Sequence, residues 1–347
     1  MTIPATAPMS AAALPRGLRW LRWIGHRRWL RYGLRDRLIR RLQPCRPGAG
    51  GEFTVPFFGR IYRGRLDSYI DWVVFFFGAY EAGVLLFLES AARALDRPDT
   101  VFVDIGANVG QHTLFMSAHA ATIHAFEPYE PVRRRLLEKI ADNRLDNVTV
   151  HPVGLGQRDE RRPFHAPAGE NTGTGSFRPR PAGEHRPTIE GVAVVEGDRY
   201  FAQAGITRVD LVKIDVEGLE VEVLTGLRRT LRRDRPLIVM ELSAETRALL
   251  GGENELMALL PDRYVALALD AHPNGYRLRP LAFDRSTEIV LAPCERIGAL
   301  PPRASISLRR QALSVVGSII LRTSEMRLAG KPEISACLRM ISGLSAR

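Results

Sequence analysis

The segment Asp104-Ile105-Gly106-Ala107-Asn108-Val109-Gly110 combines an acid, two glycines and an amide in one tight span. It follows Val101-Phe102-Val103, a β-branched and aromatic run, so the acid stands where a strand gives way to a helix. Open parallel sheets bind nucleotide-like ligands at that point. Gly106 lets the backbone turn sharply against a ligand, and Gly110 opens the next helix. A dinucleotide fingerprint needs Gly-x-Gly-x-x-Gly around a pyrophosphate, and here Asn108 replaces the middle glycine. A carboxylate at Asp104 would repel a pyrophosphate, but it can receive the ammonium group of a methionine moiety. The chemistry favours S-adenosylmethionine (SAM), which has no phosphate.

A second acid supports this reading. The run Ile123-His124-Ala125-Phe126 ends in Glu127-Pro128. An acid at the end of the second strand is placed to accept hydrogen bonds from both ribose hydroxyls. Farther on, Val209-Asp210-Leu211-Val212-Lys213-Ile214-Asp215-Val216-Glu217-Gly218-Leu219-Glu220 sets Lys213, Asp215 and Glu217 at alternating positions. On a strand these would share one face. Three ionisable groups on one face in mid-sheet are costly to bury unless they pair or act.

Together with Gly78-Ala79-Tyr80-Glu81 upstream, these motifs resemble the FkbM-type SAM-dependent methyltransferases. The resemblance runs from about Gly78 to about Ser243 and takes in the run Pro236 to Leu242. It implies a class I, Rossmann-like methyltransferase fold: a seven-stranded, mostly parallel sheet with helices on both faces and the last strand antiparallel. It also implies methyl transfer to a hydroxyl oxygen of a sugar, polysaccharide or secondary metabolite. Asp104, Gly106, Asn108, Gly110 and Glu127 match the family's cofactor positions, and Pro128 goes with Glu127. Asp215 and Glu217 fall where the fourth strand meets the methyl donor. One departure is Glu196-Gly197-Asp198, where the family usually has Leu-Asp-Asp.

Transfer from a sulfonium to a hydroxyl needs alignment and a proton acceptor. Candidate bases are Asp215, Glu217, Glu241 and His112, with Asp215 preferred and Lys213 pairing or tuning it. The bland alternative makes Lys213, Asp215 and Glu217 a structural ion-pair network. His112, one turn into the first helix, reads as a helix-surface residue. Glu81 could contact the methionine end of the cofactor or cap a helix. Asn171, Thr172 and Ser176, in a Gly/Thr/Ser/Pro-rich loop, could line an acceptor pocket. The site is expected to work without a metal; complete loss of activity in excess chelator would overturn that.

The elements that must position these residues alternate from about residue 99. Strands are expected at Val101–Ile105, Thr122–Phe126, Val148–Val153, Leu211–Asp215, Leu237–Leu242, Tyr264–Leu269 and Glu288–Leu291. Helices are expected at Gly110–His119, Glu130–Asn143, Gly218–Arg232 and Glu253–Leu260, an alternation that signals a doubly wound sheet. Short strands at Arg162–His165 and Val192–Val195 flank the long loop. Residues 1–50 form a basic, amphipathic helical leader, 51–98 a lead-in with a helix near Ala79 to Ala94, 99–295 the methyltransferase domain, and 296–347 a basic extension.

Charge opens two rival readings. The chain carries a net charge of +11, nearly all from arginine. Arg16 to Arg41 holds ten arginines against one acid, Asp36, with Trp20, Trp23 and Trp29 among them. Leu30, Leu34, Leu38 and Leu42 recur at the spacing of one helix face. A nucleic-acid methyltransferase is one rival. Base-directed enzymes need a polar-Pro-Pro-aromatic turn after the fourth strand, or a cysteine after proline there, and Asp215-Val216-Glu217-Gly218 supplies neither. Ribose methylation stays open. The other rival is a membrane-surface or partner-binding protein with residues 16–42 lying on anionic lipid. The three cysteines are far apart and fit a reducing compartment. With no apolar window of spanning length and no clear signal peptide, the expected location is the cytoplasm, with possible membrane association through the leader.

Overall fold

A computed structural model describes residues 9–10, 15–27, 29–46, 51–166, 175, 177, 188–301 and 303–305. Its main sheet contains strands β1 (Val101–Ile105), β2 (Thr122–Phe126), β3 (Val148–His151), β4 (Leu211–Ile214), β5 (Leu237–Leu242), β6 (Tyr264–His272), β7 (Gly275–Pro280), β8 (Thr287–Pro293) and β9 (Arg303–Ser305). They lie in the order β9-β7-β6-β8-β5-β4-β1-β2-β3. The set β3-β2-β1-β4-β5 is parallel, and β8 enters antiparallel between β5 and β6. This is the mostly parallel class I arrangement, with the antiparallel last strand expected from the sequence. The order reverses beside β1, whose neighbours are β4 and β2, and the crevice at the carboxyl ends of these strands is the natural ligand site.

The strands owe their places to composition. Leu211 to Ile214 and Leu237 to Met240 are buried throughout, as central parallel strands covered on both faces must be. Two corrections concern the sheet edge. It has nine described strands rather than seven, because β6 runs on to His272 and turns back as β7, which pairs with β9. The third strand stops at His151. Gly154–Gly156 instead joins Glu160–His165 and Thr188–Glu196 in a separate three-stranded sheet.

The helix expected over 218–232 is two helices, Glu220–Gly226 and Arg228–Asp234. Gly226 packs so closely on the Gly156 carbonyl that a Cβ would lie 1.9 Å from its oxygen. Asp198, in the turn that departs from the family pattern, has a structural task. Its carboxylate accepts hydrogen bonds from the Arg229 and Thr230 amides, at 2.7 and 2.8 Å, and from the Thr230 hydroxyl at 2.7 Å.

The leader contains α1 (Arg16–Gly25) and α2 (Tyr32–Leu42), and the lead-in contains α3 (Tyr69–Phe77) and α4 (Ala82–Ala94). Leu21 and Ile39 join Trp72, Phe75 and Phe87 in the same core as Phe102, Leu237 and Val290 of the sheet. The leader is thus seated on the sheet-bearing body. Sequence reading missed α3, whose apolar run is continuous because nearly every side chain is buried. No single helix among the described residues is long and apolar enough to cross a membrane.

Asp71 of α3 locks the lead-in in place. It is fully buried and accepts from the Tyr62 hydroxyl at 2.7 Å and the Arg65 amide at 2.8 Å, and it forms an ion pair with Arg135. Replacing it by alanine strands a buried guanidinium and should cost about 3–5 kcal/mol of stability, read by urea denaturation.

Candidate active site

Two adjoining cavities open at the carboxyl ends of β1, β2 and β4, sharing Gly106, Asn108, Asp215 and Glu217. The first has a mostly apolar wall that includes Phe126, Tyr129, Leu155, Phe164 and Phe177, with Glu127 and Pro128 at its edge. The second is polar, has a volume of about 210 Å³, and is lined by Tyr80, Glu81, Gln111, His112, Lys213, Asp215, Glu217, Glu241 and Glu288.

The loop after β1 shapes the junction. Gly106 has φ +83°, and a Cβ there would lie 1.9 Å from the Asp215 carbonyl oxygen, so only glycine allows β1 and β4 to close this tightly. The Gly106 and Ala107 amides both donate to the Phe126 carbonyl, at 2.9 and 3.0 Å, tying the loop to the end of β2. Glu127, buried beside it, accepts from the Asn108 amide at 2.9 Å and the Tyr129 amide at 2.8 Å. Burial pushes its carboxyl up to about 7, against the pull of those two amides and of Arg133. Each carboxylate oxygen keeps a second lone pair for a ligand hydroxyl. Gly110 lines neither cavity; its φ of +81° and its contact with Leu136 make it a packing position for the start of the next helix.

Charge in the polar cavity is organised around Lys213. Its Nζ lies 2.8 Å from Asp215 Oδ2. Burial disfavours its charge, but Asp215, Glu81, Asp104 and Glu288 together hold its pKa above the ordinary lysine value. Asp104 is the register partner of Lys213 across β1 and β4. It is fully buried, lines neither cavity, and accepts from the Thr113 hydroxyl at 2.6 Å. Its charge favours the ammonium form of Lys213, and its Oδ1 has no hydrogen-bond partner among the described residues. Glu81, the other carboxylate expected near the methionine end, lines the polar cavity itself.

Three other sequence expectations change. The fourth strand ends at Ile214, so Glu217 does not share a strand face with Lys213. It reaches the cavity through a turn in which it has φ +51° and Gly218 has φ +104°. His112 is buried rather than on a helix surface, its Nε2 lies 3.5 Å from Glu81 Oε2, and burial and then Lys213 hold its imidazole well below the usual pKa, hence neutral. Glu81 makes no side-chain cap to α4; it faces the cavity with φ +48°. The Tyr80 amide and carbonyl both bond the Gln111 side chain, at 2.7 and 2.9 Å, which fixes this segment over the site. Asn171, Thr172 and Ser176 lie outside the described residues.

Sequence reasoning missed Glu288. It pairs directly with Glu241 across β5 and β8, so two carboxyl groups stand side by side at the cavity wall. Burial and the surrounding acids, Asp215 and Glu220 first, push Glu241 up to about 7, and Glu288 is held well above the ordinary glutamate value. Only the strand register reveals that pair. The apolar wall was also illegible, because Phe164 and Phe177 come from the small second sheet and its loop.

The residues fit SAM. Glu81 Oε2 and His112 Nε2 are buried polar atoms without a hydrogen-bond partner among the described residues, and both face the polar cavity. Buried polar groups of this kind call for a ligand or water. Glu127 suits a ribose, the apolar wall suits an adenine, and Glu81 suits an ammonium.

Comparison with known proteins agrees with this geometry. Residues 104–262 match the family model described as the methyltransferase FkbM domain. The AMB antimetabolite synthetase AmbE of Pseudomonas aeruginosa is 27% identical over 53% of this chain and 11% of its own length. The hexuronic acid methyltransferase AglP of Haloferax volcanii is 31% identical over 45% of this chain and 59% of its own. The 2-O-methyltransferase NoeI of Sinorhizobium fredii is 29% identical over 41% and 63%. The chain thus spans less than two thirds of the length of each of these relatives. Residues 104–262 are thus similar to the methyltransferase FkbM domain.

Proposed function

We propose that this chain transfers a methyl group from SAM to a hydroxyl oxygen of a sugar, polysaccharide or polyhydroxylated secondary metabolite. The observation that carries the reading is the junction of an apolar, Glu127-edged cleft with a carboxylate-rich cavity at Gly106. Names of relatives support it, since AglP is a hexuronic acid methyltransferase and NoeI a 2-O-methyltransferase.

When bound, SAM would supply an electrophilic methyl group on a sulfonium. The chain's residues would then divide the work. Glu127 holds the ribose, Phe164 and Tyr129 cover the base, and Gly106 and Asn108 shape the loop between the cavities. Lys213 fixes Asp215 at 2.8 Å, which makes Asp215 a positioning group. Glu241, with its carboxyl near pH 7, is matched to take the hydroxyl proton, because proton acceptors work best when their pKa lies near the working pH. Glu288, held well above the ordinary glutamate value by burial and then Glu81, stands beside Glu241, where its protonated form can donate a hydrogen bond. The acid-lined cavity also disfavours a phosphate backbone, which weighs against ribose methylation of RNA.

The test is incubation of the purified chain with methyl-labelled SAM and a panel of neutral oligosaccharides, uronic-acid glycans, polyhydroxylated metabolites and RNA. The expected product is an alkali-stable methyl ether on a hydroxylated small molecule or glycan. Label confined to RNA would overturn the reading.

A further inference from the structure

The two leader helices are amphipathic in an unusual sense. In α1 the core-facing residues are Leu21, Ile24 and Gly25. In α2 they are Arg35 and Ile39. Polar contacts as well as packing seat these faces: Arg22 Nε donates to the Phe75 carbonyl at 3.1 Å, and Arg35 bonds the Gly25 carbonyl. The outward face of α1 carries Arg16, Arg19, Trp20 and Trp23, and that of α2 carries Leu34, Arg37, Leu38, Arg41 and Leu42. Both sets follow the three- and four-residue spacing of a single helix face. The leucine stripe that would normally turn inward points away from the body.

Exposure on this scale is concentrated here. Trp20, Trp23 and Trp29 are 54%, 52% and 71% exposed, and six of the ten exposed large apolar residues among those described fall between Trp20 and Leu42. A cluster of exposed aromatic and aliphatic side chains marks a surface that meets an apolar phase or a partner. The accompanying charge selects between these. Asp36, the only acid from Arg16 to Arg41, is already bonded to Arg40 at 2.8 Å. The Arg27 guanidinium stacks 4.0 Å from the centre of the Trp23 ring. Arginines interleaved with tryptophan and leucine on one helix face are the chemistry of a helix lying in an anionic lipid interface.

We infer that the outward face of the leader, centred on Trp20, Trp23, Leu34, Leu38 and Leu42 with Arg16, Arg19, Arg37 and Arg41, docks this chain on an anionic bilayer surface. The leader neither spans the bilayer nor detaches from the body. Its buried side holds to the core while its exposed side enters the headgroup region, so the catalytic cleft is carried at a fixed position relative to the lipid.

Deleting the leader would remove Leu21 and Ile39 from the core, so surface substitutions make the cleaner test. The full chain is floated with vesicles of phosphatidylcholine alone and of phosphatidylcholine with phosphatidylserine. The comparison variants are Trp20→Ala/Trp23→Ala/Trp29→Ala and Arg37→Glu/Arg41→Glu, with thermal unfolding as the check on folding. The expected result is binding to the anionic vesicles only, weakened about tenfold or more in each variant while the unfolding transition is unchanged. Absence of vesicle binding by the wild type, or equal binding by wild type and both variants, would overturn the inference. So would a concentration-dependent dimer lost in the tryptophan variant with no lipid binding, since the face would then serve a second copy of the chain.

Discussion

Substituting alanine for Gly106 is expected to abolish measurable SAM binding and to destabilise the chain. Two independent effects act at this residue. Its φ of +83° lies in the left-handed region, where a side chain is strained, at a cost of order 1–3 kcal/mol. A Cβ would also sit 1.9 Å from the Asp215 carbonyl oxygen, which is backbone and cannot rotate away. The loop and β4 must separate, moving Asn108 and Asp215 at the point where the cavities join. Gly205→Ala is the matched control: its φ is +70°, but nothing lies within 4 Å of the added methyl. It should show the strain cost alone, with SAM binding intact. Equilibrium denaturation and calorimetric titration of both variants separate the two effects. Equal SAM affinity in Gly106→Ala and wild type would remove the loop from the site.

The second large effect concerns proton transfer. Glu241 is held at about 7 by burial and by the acids Asp215, Glu220 and Glu81. Its carboxylate is present above that pH and is lost as the pH falls, so kcat/KM should drop on the acid side with an inflection near 7. Glu241→Gln should lower kcat by about 10²- to 10⁴-fold and remove that inflection. Stability should move the other way. An unfolded glutamate titrates near 4.3, so between about 4.3 and about 7 the folded chain holds a proton that the unfolded chain has released. The folded state therefore loses stability as the pH rises through this window. Glu241→Gln, which carries no charge to bury, should melt higher than the wild type above pH 7. A variant both slower and more stable distinguishes an active-site base from a structural acid, whose loss would lower stability and leave the pH profile unchanged.

Much of this architecture is legible in the sequence, for identifiable reasons. The parallel strands announce themselves because strands buried on both faces are almost wholly apolar, as in Leu237 to Met240. The Gly106 turn and Glu127 are local signals, fixed by backbone geometry within a few residues. What escaped depends on contacts between distant segments. Glu288 becomes part of the site only through its register with Glu241. His112 looks like a helix-surface residue until α4, β4 and Glu81 close over it. Asp104 has the right type and spacing for a cofactor ligand, yet its burial and its register with Lys213 on the neighbouring strand become visible only in the fold. The leader is the opposite case: the leucine spacing was plain, but whether that face met the core or the solvent was a tertiary question.

The most direct measurement of the central claim is calorimetric titration of SAM into the wild-type chain and into Glu127→Ala. Hydrogen bonds to a charged carboxylate contribute about 1.5–3 kcal/mol each. Loss of two ribose contacts should therefore weaken binding by about a hundredfold or more. The account predicts one SAM site per wild-type chain and a Glu127→Ala variant that folds normally but binds far more weakly. A wild-type chain that does not bind SAM, or a Glu127→Ala variant that binds it as tightly, would contradict the account.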